Sequence, residues 1–346
     1  MRALVKAAPV AGAELQEIPI PTIGPADVLV RVQTAAVCGT DLHIYSWDDW
    51  ARNRMHPPVT FGHEFCGYIE KVGDEVQNLS PGDFVSAEMH IACGHCYQCR
   101  TGQAHICRSV KILGVDDNGC FAEFVRIPAS NILKLDASIP ADYAAILDPL
   151  GNAVHTVLAG AVAGCSVGIV GCGPIGLMAI AVARACGGGP VFALEVNANR
   201  RRLAQEMKAD LVLDPSADPV ESIVLDNTVG GGVDVALEFS GHPDGVRTAF
   251  QIVRPGGRVS LLGIPSKPVE VDLTRDVIFK GLTVQGINGR RMYETWYQMR
   301  SLLSQNRLHL EPLFTDRLPL EDFAAGMERL RKGEASKVLL YPNGRK

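Results

Sequence analysis

The stretch SVGIVGCGPIGLMAIAVARAC, Ser166 to Cys186, decides the fold. Ser166 to Val170 is a short apolar run of strand type. Gly171, Gly173 and Gly176 follow as G-C-G-P-I-G, and from Pro174 a helix-like run continues to Cys186. Alone, G-x-G-x-x-G is a weak pattern that a tight turn can also satisfy. Between a strand and a helix it has a physical meaning. The glycines allow a sharp turn, close backbone approach to a pyrophosphate, and close packing of helix on strand. The helix N-terminus adds unpaired N–H groups and a positive dipole end.

Downstream the alternation continues. Apolar runs at Val191–Val196, Leu211–Leu213, Val233–Phe239, Gly257–Gly263 and Leu282–Gln285 alternate with helical patterns such as Asn199–Lys208 and Gly245–Val253. Strand alternating with helix predicts a parallel sheet covered on both faces. Glu195 ends the second run, near the expected spacing of about 20 residues from the glycines. A carboxylate there can accept both ribose hydroxyls of NAD and repels the 2′-phosphate of NADP. Arg200 to Arg202 lie just beyond and could neutralise such a phosphate, so NADP stays open beside the favoured NAD.

Upstream the texture differs. To about residue 140 the chain consists of short strand-like runs broken by Gly and Pro, among them Asp27–Val32, Gly67–Val72 and Asp83–Glu88. This predicts a β-rich domain. An Ala-rich helical run spans Leu147–Ala163. The tail carries helical runs at Glu294–Gln305 and Leu320–Lys332 and ends in the strand-like SKVLLY.

The 346 residues are 47% hydrophobic and 21% charged, a soluble globular profile, and the length suggests more than one core. A net charge of -5 argues against a nucleic-acid partner. No run reaches the roughly 18 apolar residues of a membrane span. The start, MRALVKAAPVAGAE, has no signal-type h-region, and the expected location is cytoplasmic.

Ten cysteines are present. Cys93, Cys96, Cys99 and Cys107 read C-x2-C-x2-C-x7-C within a polar segment. Four thiolates at this density suit a closed tetrahedral zinc, with an iron–sulfur cluster as the rival. A closed site implies a structural role. Cys66, Cys120, Cys165 and Cys186 are expected to be buried as small hydrophobes. A second constellation is dispersed. Cys38 lies in V-C-G-T-D-L-H, and His63 and Glu64 lie in F-G-H-E-F-C-G. One soft and two harder ligands would leave the open position that a catalytic zinc needs. Singly, each of these residues is better read as an ordinary core side chain.

G-H-E-x-x-G, the four-cysteine lobe and the later G-x-G-x-x-G occur here in the order found in the zinc-containing medium-chain dehydrogenases, which the chain resembles over essentially its whole length. The resemblance implies an α/β fold with a GroES-like β-rich catalytic domain at 1–142 and a Rossmann doubly wound NAD-binding domain at 143–288. A C-terminal segment, 289–346, would pack back on the first domain. Three stretches narrow the resemblance: CGTDLHIYSWDDW (Cys38–Trp50), DPLGNAVHT (Asp148–Thr156) and GRRMYETWYQM (Gly289–Met299). They are similar to the branch that oxidises L-threonine to 2-amino-3-oxobutanoate with NAD, in a homotetramer with two zinc ions per subunit.

By position, the resemblance makes Cys38, His63 and Glu64 the catalytic zinc ligands. Thr40 and His43 become a proton relay, and Asp148 an acidic residue beside the zinc. Cys93, Cys96, Cys99 and Cys107 become the structural site. Ile175, Glu195, Arg200, Leu262, Gly263, Ile264, Gly286 and Ile287 join the three glycines as cofactor contacts. Two departures stand out: Glu195 where many relatives have Asp, and Met89 where relatives often have Gly. Trp47 to Trp50 and His90 are candidates for the substrate's charged groups, without assignment. The rival substrates are polyols such as sorbitol or butanediol. More distant rivals are a zinc-free quinone or enone reductase and a non-catalytic protein on the same fold.

Overall fold

The structure is a computed structural model and describes residues 1–345. In Asp27–Ala36 the residues Val28, Val30 and Val32 are fully buried, the period-2 pattern of a strand with a packed face. This strand is the hub of a seven-stranded sheet ordered Ile132–Lys134, Phe84–Ala87, Glu64–Val72, Asp27–Ala36, Lys337–Tyr341, Phe314–Pro319, with Phe124–Pro128 also paired to the hub. All these pairings are antiparallel except the last neighbours, Lys337–Tyr341 on Phe314–Pro319. SKVLLY therefore pairs with the hub strand, matching Leu339 to Ala36 and Leu340 to Ala35. A core of Phe61, Phe65, Phe121, Ile127, Phe323 and their neighbours fills this part.

The second sheet has six parallel strands, ordered Leu211–Leu213, Val191–Leu194, Val167–Val170, Val233–Glu238, Val253–Leu261, Thr283–Gly286. The order reverses between Val167–Val170 and Val233–Glu238, which is where such sheets open a ligand crevice at the strands' carboxyl ends. The helix after the glycines runs Pro174–Ala185, and Leu177 to Ala183 are all buried. Its apolar all-round character follows from that burial.

By internal contacts the chain divides into two units. One comprises Met1–Asp148, Met292–Trp296 and the chain from Phe314 on; the other comprises Pro149–Arg291 and Tyr297–Leu313. Several elements differ from the sequence reading. The Leu147 helix stops at Leu158, short of Ala163, as Gly160 approaches. Leu320–Asp322 forms a 3-10 turn before the helix Phe323–Arg331. The helix Val220–Asp226 was not anticipated, although Val220, Ile223 and Val224 have helical spacing; at seven residues its pattern is too brief to stand out. Cys66 and Cys120 are buried, but Cys165 and Cys186 are only partly so. Cys165 sits in the turn before a strand and Cys186 caps a helix C-terminus, where solvent reaches both. No helix among the described residues is long and apolar enough to cross a membrane.

Candidate active site and metal centres

Cys38, His63 and Glu64 come together in the first unit, with one ligand atom from each within 4.8 Å of the others. Cys38 is the N-cap of the helix Gly39–Ser46, and its N–H donates to Asp41 Oδ2 at 2.8 Å. His63 and Glu64 are held at the start of the strand Glu64–Val72 by a tight approach. At Gly62 (φ 89°) a Cβ would stand 2.4 Å from the Phe121 ring, so no other residue fits there.

This cluster is buried and charged. His63 and Glu64 are each 1% exposed, Asp41 0%, Asp148 4% and Lys337 2%. Lys337 Nζ lies 2.5 Å from Glu64 Oε2 and donates to the Val37 carbonyl at 2.9 Å. Neither ring nitrogen of His63 has an oxygen or nitrogen partner in hydrogen-bond geometry, although both are buried. Burial pushes the His63 pKa down, but the neighbouring Cys38, Asp41 and Asp148 outweigh it and carry it up to about 10. The same anionic surroundings favour any cation. Two orphaned nitrogens, a thiol and a carboxylate in such a field fit a metal ion.

Thr40 places Oγ1 3.7 Å from the Cys38 sulfur. His43 lies three residues further along the same helix, so the two side chains share a face. Its Nδ1 is 2.5 Å from Asp48 Oδ2. Asp148 occupies the first turn of the helix Leu147–Leu158, and its charge acts on His63, Glu64 and Asp41.

The four cysteines of the lobe also meet, again with sulfurs within 4.8 Å. Cys96–Cys99, Cys96–Cys107 and Cys93–Cys99 are 3.5, 3.9 and 4.0 Å apart. Zinc–sulfur bonds of about 2.3 Å in a tetrahedron require sulfurs about 3.8 Å apart, so the lobe fits zinc. The backbone N–H groups of Cys93 and Ser109 each donate to Cys107 Sγ at 3.3 Å. Backbone donors likewise bring the Cys96 thiol down to about 6 and lower Cys107.

In the second unit the glycine loop has the form that a pyrophosphate requires. Gly171 has φ 90°, and a Cβ there would meet Ser240 N at 2.7 Å. A Cβ on Gly176 would stand 2.0 Å from the Gly171 carbonyl, so helix and strand pack only with glycine. A Cβ on Gly173 would meet nothing within 4 Å, which leaves that face open to a ligand. Ile175 is the second residue of the helix and is partly exposed. Glu195 is 6% exposed and accepts from the N–H groups of Cys172 at 2.8 Å and Asn197 at 2.9 Å. Arg200 stands 4.0 Å from its carboxylate, while Arg201 donates to the Glu195 carbonyl at 3.0 Å and pairs with Asp214 at 2.8 Å. Leu262, Gly263 and Ile264 follow the strand Val253–Leu261; Gly286 ends its neighbour and Ile287 follows. All five therefore stand at carboxyl ends of the parallel strands.

Residues 24–137 match the alcohol dehydrogenase GroES-like domain family, and residues 174–305 match the zinc-binding dehydrogenase family. An L-threonine 3-dehydrogenase of Bacillus licheniformis is 49% identical over 343 residues, 99% of either chain. The chain belongs to the zinc-containing medium-chain dehydrogenases. Among solved members of this family, a zinc-binding dehydrogenase of Sinorhizobium meliloti bound to NADP superposes with a TM-score of 0.89 at 30% identity, covering 99% of both chains. The 2R,3R-butanediol dehydrogenase of Bacillus subtilis does so with the same score, identity and coverage.

For a zinc-containing medium-chain dehydrogenase, several polar residues near these sites went unread in the sequence. Asp41 and Lys337 belong to the cluster around Glu64. Glu88 is fully buried; its Oε1 takes the N–H and Nδ1 of His90, each at 2.9 Å, and its Oε2 takes Trp296 Nε1 at 2.8 Å. Glu238 is fully buried at the end of its strand, and its Oε1 accepts from the N–H groups of Ser240 and Gly241. Met89 is partly buried against the first core. In the Trp47–Trp50 loop, Asp48 is engaged by His43, and Asp49 faces solvent beside Arg52.

Proposed function

We propose that the chain oxidises the 3-hydroxyl of L-threonine to L-2-amino-3-oxobutanoate, with NAD as hydride acceptor and two zinc ions per subunit, one catalytic and one structural. The reading is carried by one observation. A Cys38–His63–Glu64 set, with His63 and Glu64 buried and Cys38 partly so, accompanies full-length similarity, near 50% identity, to enzymes named for this reaction.

Bound at Cys38, His63 and Glu64, zinc would supply Lewis acidity to the substrate hydroxyl. The chain's own residues do the rest. Cys38 and Glu64 present negative charge, and Lys337 offsets part of it. Asp148 adds a buried carboxylate whose charge acts on His63, Glu64 and Asp41. Thr40 Oγ1 can accept a proton and donate its own at the same time, and His43 can take that proton one helical turn on and give it to solvent. In the second unit, Gly173 admits the cofactor's pyrophosphate, and Glu195 accepts from its ribose hydroxyls. The buried Glu195 carboxylate supports NAD; Arg200 beside it keeps NADP use a measurable quantity.

A homo-oligomer, by the resemblance a homotetramer, is part of the proposal. Supporting it, the sheet ends at Thr283–Gly286 in an unpaired edge, with Val284 41% exposed and Ile278 and Phe279 66% and 81% exposed nearby. Exposed apolar edges of this kind are ordinarily covered.

The test is NADH formation at 340 nm with L-threonine, sorbitol and 2,3-butanediol, before and after chelation. Threonine turnover that far exceeds the polyols, is lost on chelation and returns with zinc is expected. Turnover of a polyol alone would move the substrate to the polyol branch.

A further inference from the structure

The end of the helix that carries Thr40 and His43 is shaped in an uncommon way. Trp47, its C-cap, lies in the left-handed region at φ 55° and ψ 50°. For a bulky residue this conformation is unfavourable and persists only where packing enforces it. The packing is present. Trp47 is 7% exposed within the first core, Lys6 Nζ sits 5.0 Å over its ring, and Arg52 Nε donates to its carbonyl at 3.0 Å. Lys6 also donates to the Gly12 carbonyl at 2.8 Å, and Gly12 N–H donates to the Tyr45 carbonyl at 2.7 Å, which ties this corner to the N-terminal strand.

The turn at Trp47 sends the chain back, so that Asp48 arrives beside His43. The two Asp48 oxygens then have separate duties. Oδ1 accepts from Ala51 N–H at 3.1 Å, capping the helix Asp49–Arg54. Oδ2 faces His43 Nδ1 at 2.5 Å. Partial burial works against the charge, but the bonds from His43 and from backbone N–H groups prevail and hold this carboxyl below its ordinary pKa. An ionised carboxylate only accepts hydrogen bonds, so Nδ1 must be the donor. The Trp50 ring stands 6.0 Å from the imidazole at 50° and limits its rotation from another side.

We propose that Asp48 is a positioning residue for proton exit: it fixes His43 as the Nδ1–H tautomer, so that Nε2 always presents its lone pair. The inference rests on the relay reading given above for His43. The balance is simple. Nε2 takes the proton released when the substrate hydroxyl is oxidised, and the ring becomes an imidazolium that keeps Nδ1–H on Asp48. Nε2 then gives its proton to water, which reaches a side chain 56% exposed. An imidazole free to flip or tautomerise would present N–H instead for part of the time and could not accept.

The experiment is a double-mutant cycle on the full, zinc-loaded protein with Asp48→Ser and His43→Ala. Serine keeps the helix cap but is too short to serve His43 as well. The expected result is a loss of kcat by about tenfold for Asp48→Ser, the low end for removal of a group that orients a functional histidine. In the His43→Ala background the same change should cost nothing further. An equal loss in both backgrounds would make Asp48 a helix cap only and overturn the proposal. Unchanged kcat with Asp48→Ser, where His43→Ala is impaired, would overturn it while leaving the relay intact. A raised KM for threonine with kcat unchanged would place Asp48 on the substrate's ammonium instead. Full turnover in His43→Ala would remove the relay and this proposal together. Should the serine variant fold poorly, judged by melting temperature, Asp48→Thr repeats the cycle with the cap retained.

Discussion

The two cysteine sites of the first unit solve the same problem in opposite ways. The lobe takes all four sulfurs from Cys93–Cys107, and Cys107 is the one buried member. Its side chains include Tyr97, 72% exposed, and Ile106, 36% exposed, so little apolar area holds it together. The Cys38 set draws on an N-cap, a strand start, the helix that Asp148 opens and the Lys337 strand, and nearly all of it is buried. A site made by one short segment needs its metal in order to be a structure at all. A site assembled by the fold exists before the metal arrives, and must carry the cost of its buried charges unaided.

That contrast gives the largest expected effect. Cys38→Ser should lower kcat/KM by about a thousandfold or more, because the several kcal/mol of charge stabilisation a metal supplies would be lost, while the melting curve stays cooperative. Cys99→Ser should do the reverse locally: trypsin should cut after Arg100 or Arg108 in the folded protein, with the metal at the Cys38 set retained. Metal analysis and the digest together decide. Loss of both metals from either variant would erase the distinction between the two sites.

A second break falls on stability. Lys337 faces Glu64 at full burial, and the lobe contains nothing comparable. Lys337→Met removes the cation and strands the carboxylate. Breaking a buried pair from one side costs about 3–5 kcal/mol, readable from urea unfolding of the metal-free protein. The double change Lys337→Met with Glu64→Gln should recover much of that loss, since no unpaired charge is left behind. No recovery would mean that the lysine acts through its stem and the Val37 carbonyl, and that the ion pair is incidental.

The same contrast explains what could be read from the sequence. The lobe and the glycine loop were legible because each is one contiguous segment whose spacing states its chemistry. The strand and helix runs of the parallel sheet were legible to within a few residues because buried strands are apolar throughout. Cys38, His63 and Glu64 were legible only through resemblance, each being unremarkable alone. Asp41 hides as an ordinary helix-start acid, and Lys337 as a charge inside SKVLLY, 300 positions from the Val37 carbonyl it meets. Glu88 and Trp296, 208 positions apart, carry no local sign of their hydrogen bond. Asp48 was visible as a charged loop residue, but its direction toward His43 depends on the left-handed Trp47, which no propensity predicts.

The smallest expected effect is a pH dependence, and it belongs to the assembled site. In the metal-free protein His63 has a pKa of about 10, above its ordinary 6.5, because the anionic neighbours outweigh burial. A folded-state pKa above the unfolded value means that the folded chain holds the extra proton. The stabilisation is fully present below about 6.5 and is lost as pH rises toward 10. A metal at the site takes the place of that proton, so the loaded protein lacks this dependence. The difference in stability between loaded and metal-free protein should therefore widen steadily from pH 6.5 to 10, measured by urea unfolding at fixed free zinc. Zinc binding near pH 8 should release a proton from His63, visible as a buffer-dependent heat in calorimetry. In the metal-free protein Cys38→Ser removes part of the anionic field and should flatten the fall in stability with rising pH; Cys99→Ser, in the lobe, should leave it as it was. A gap that stays constant with pH would mean that His63 is neutral without metal, and that the fold sets up this site with less stored charge than its geometry implies.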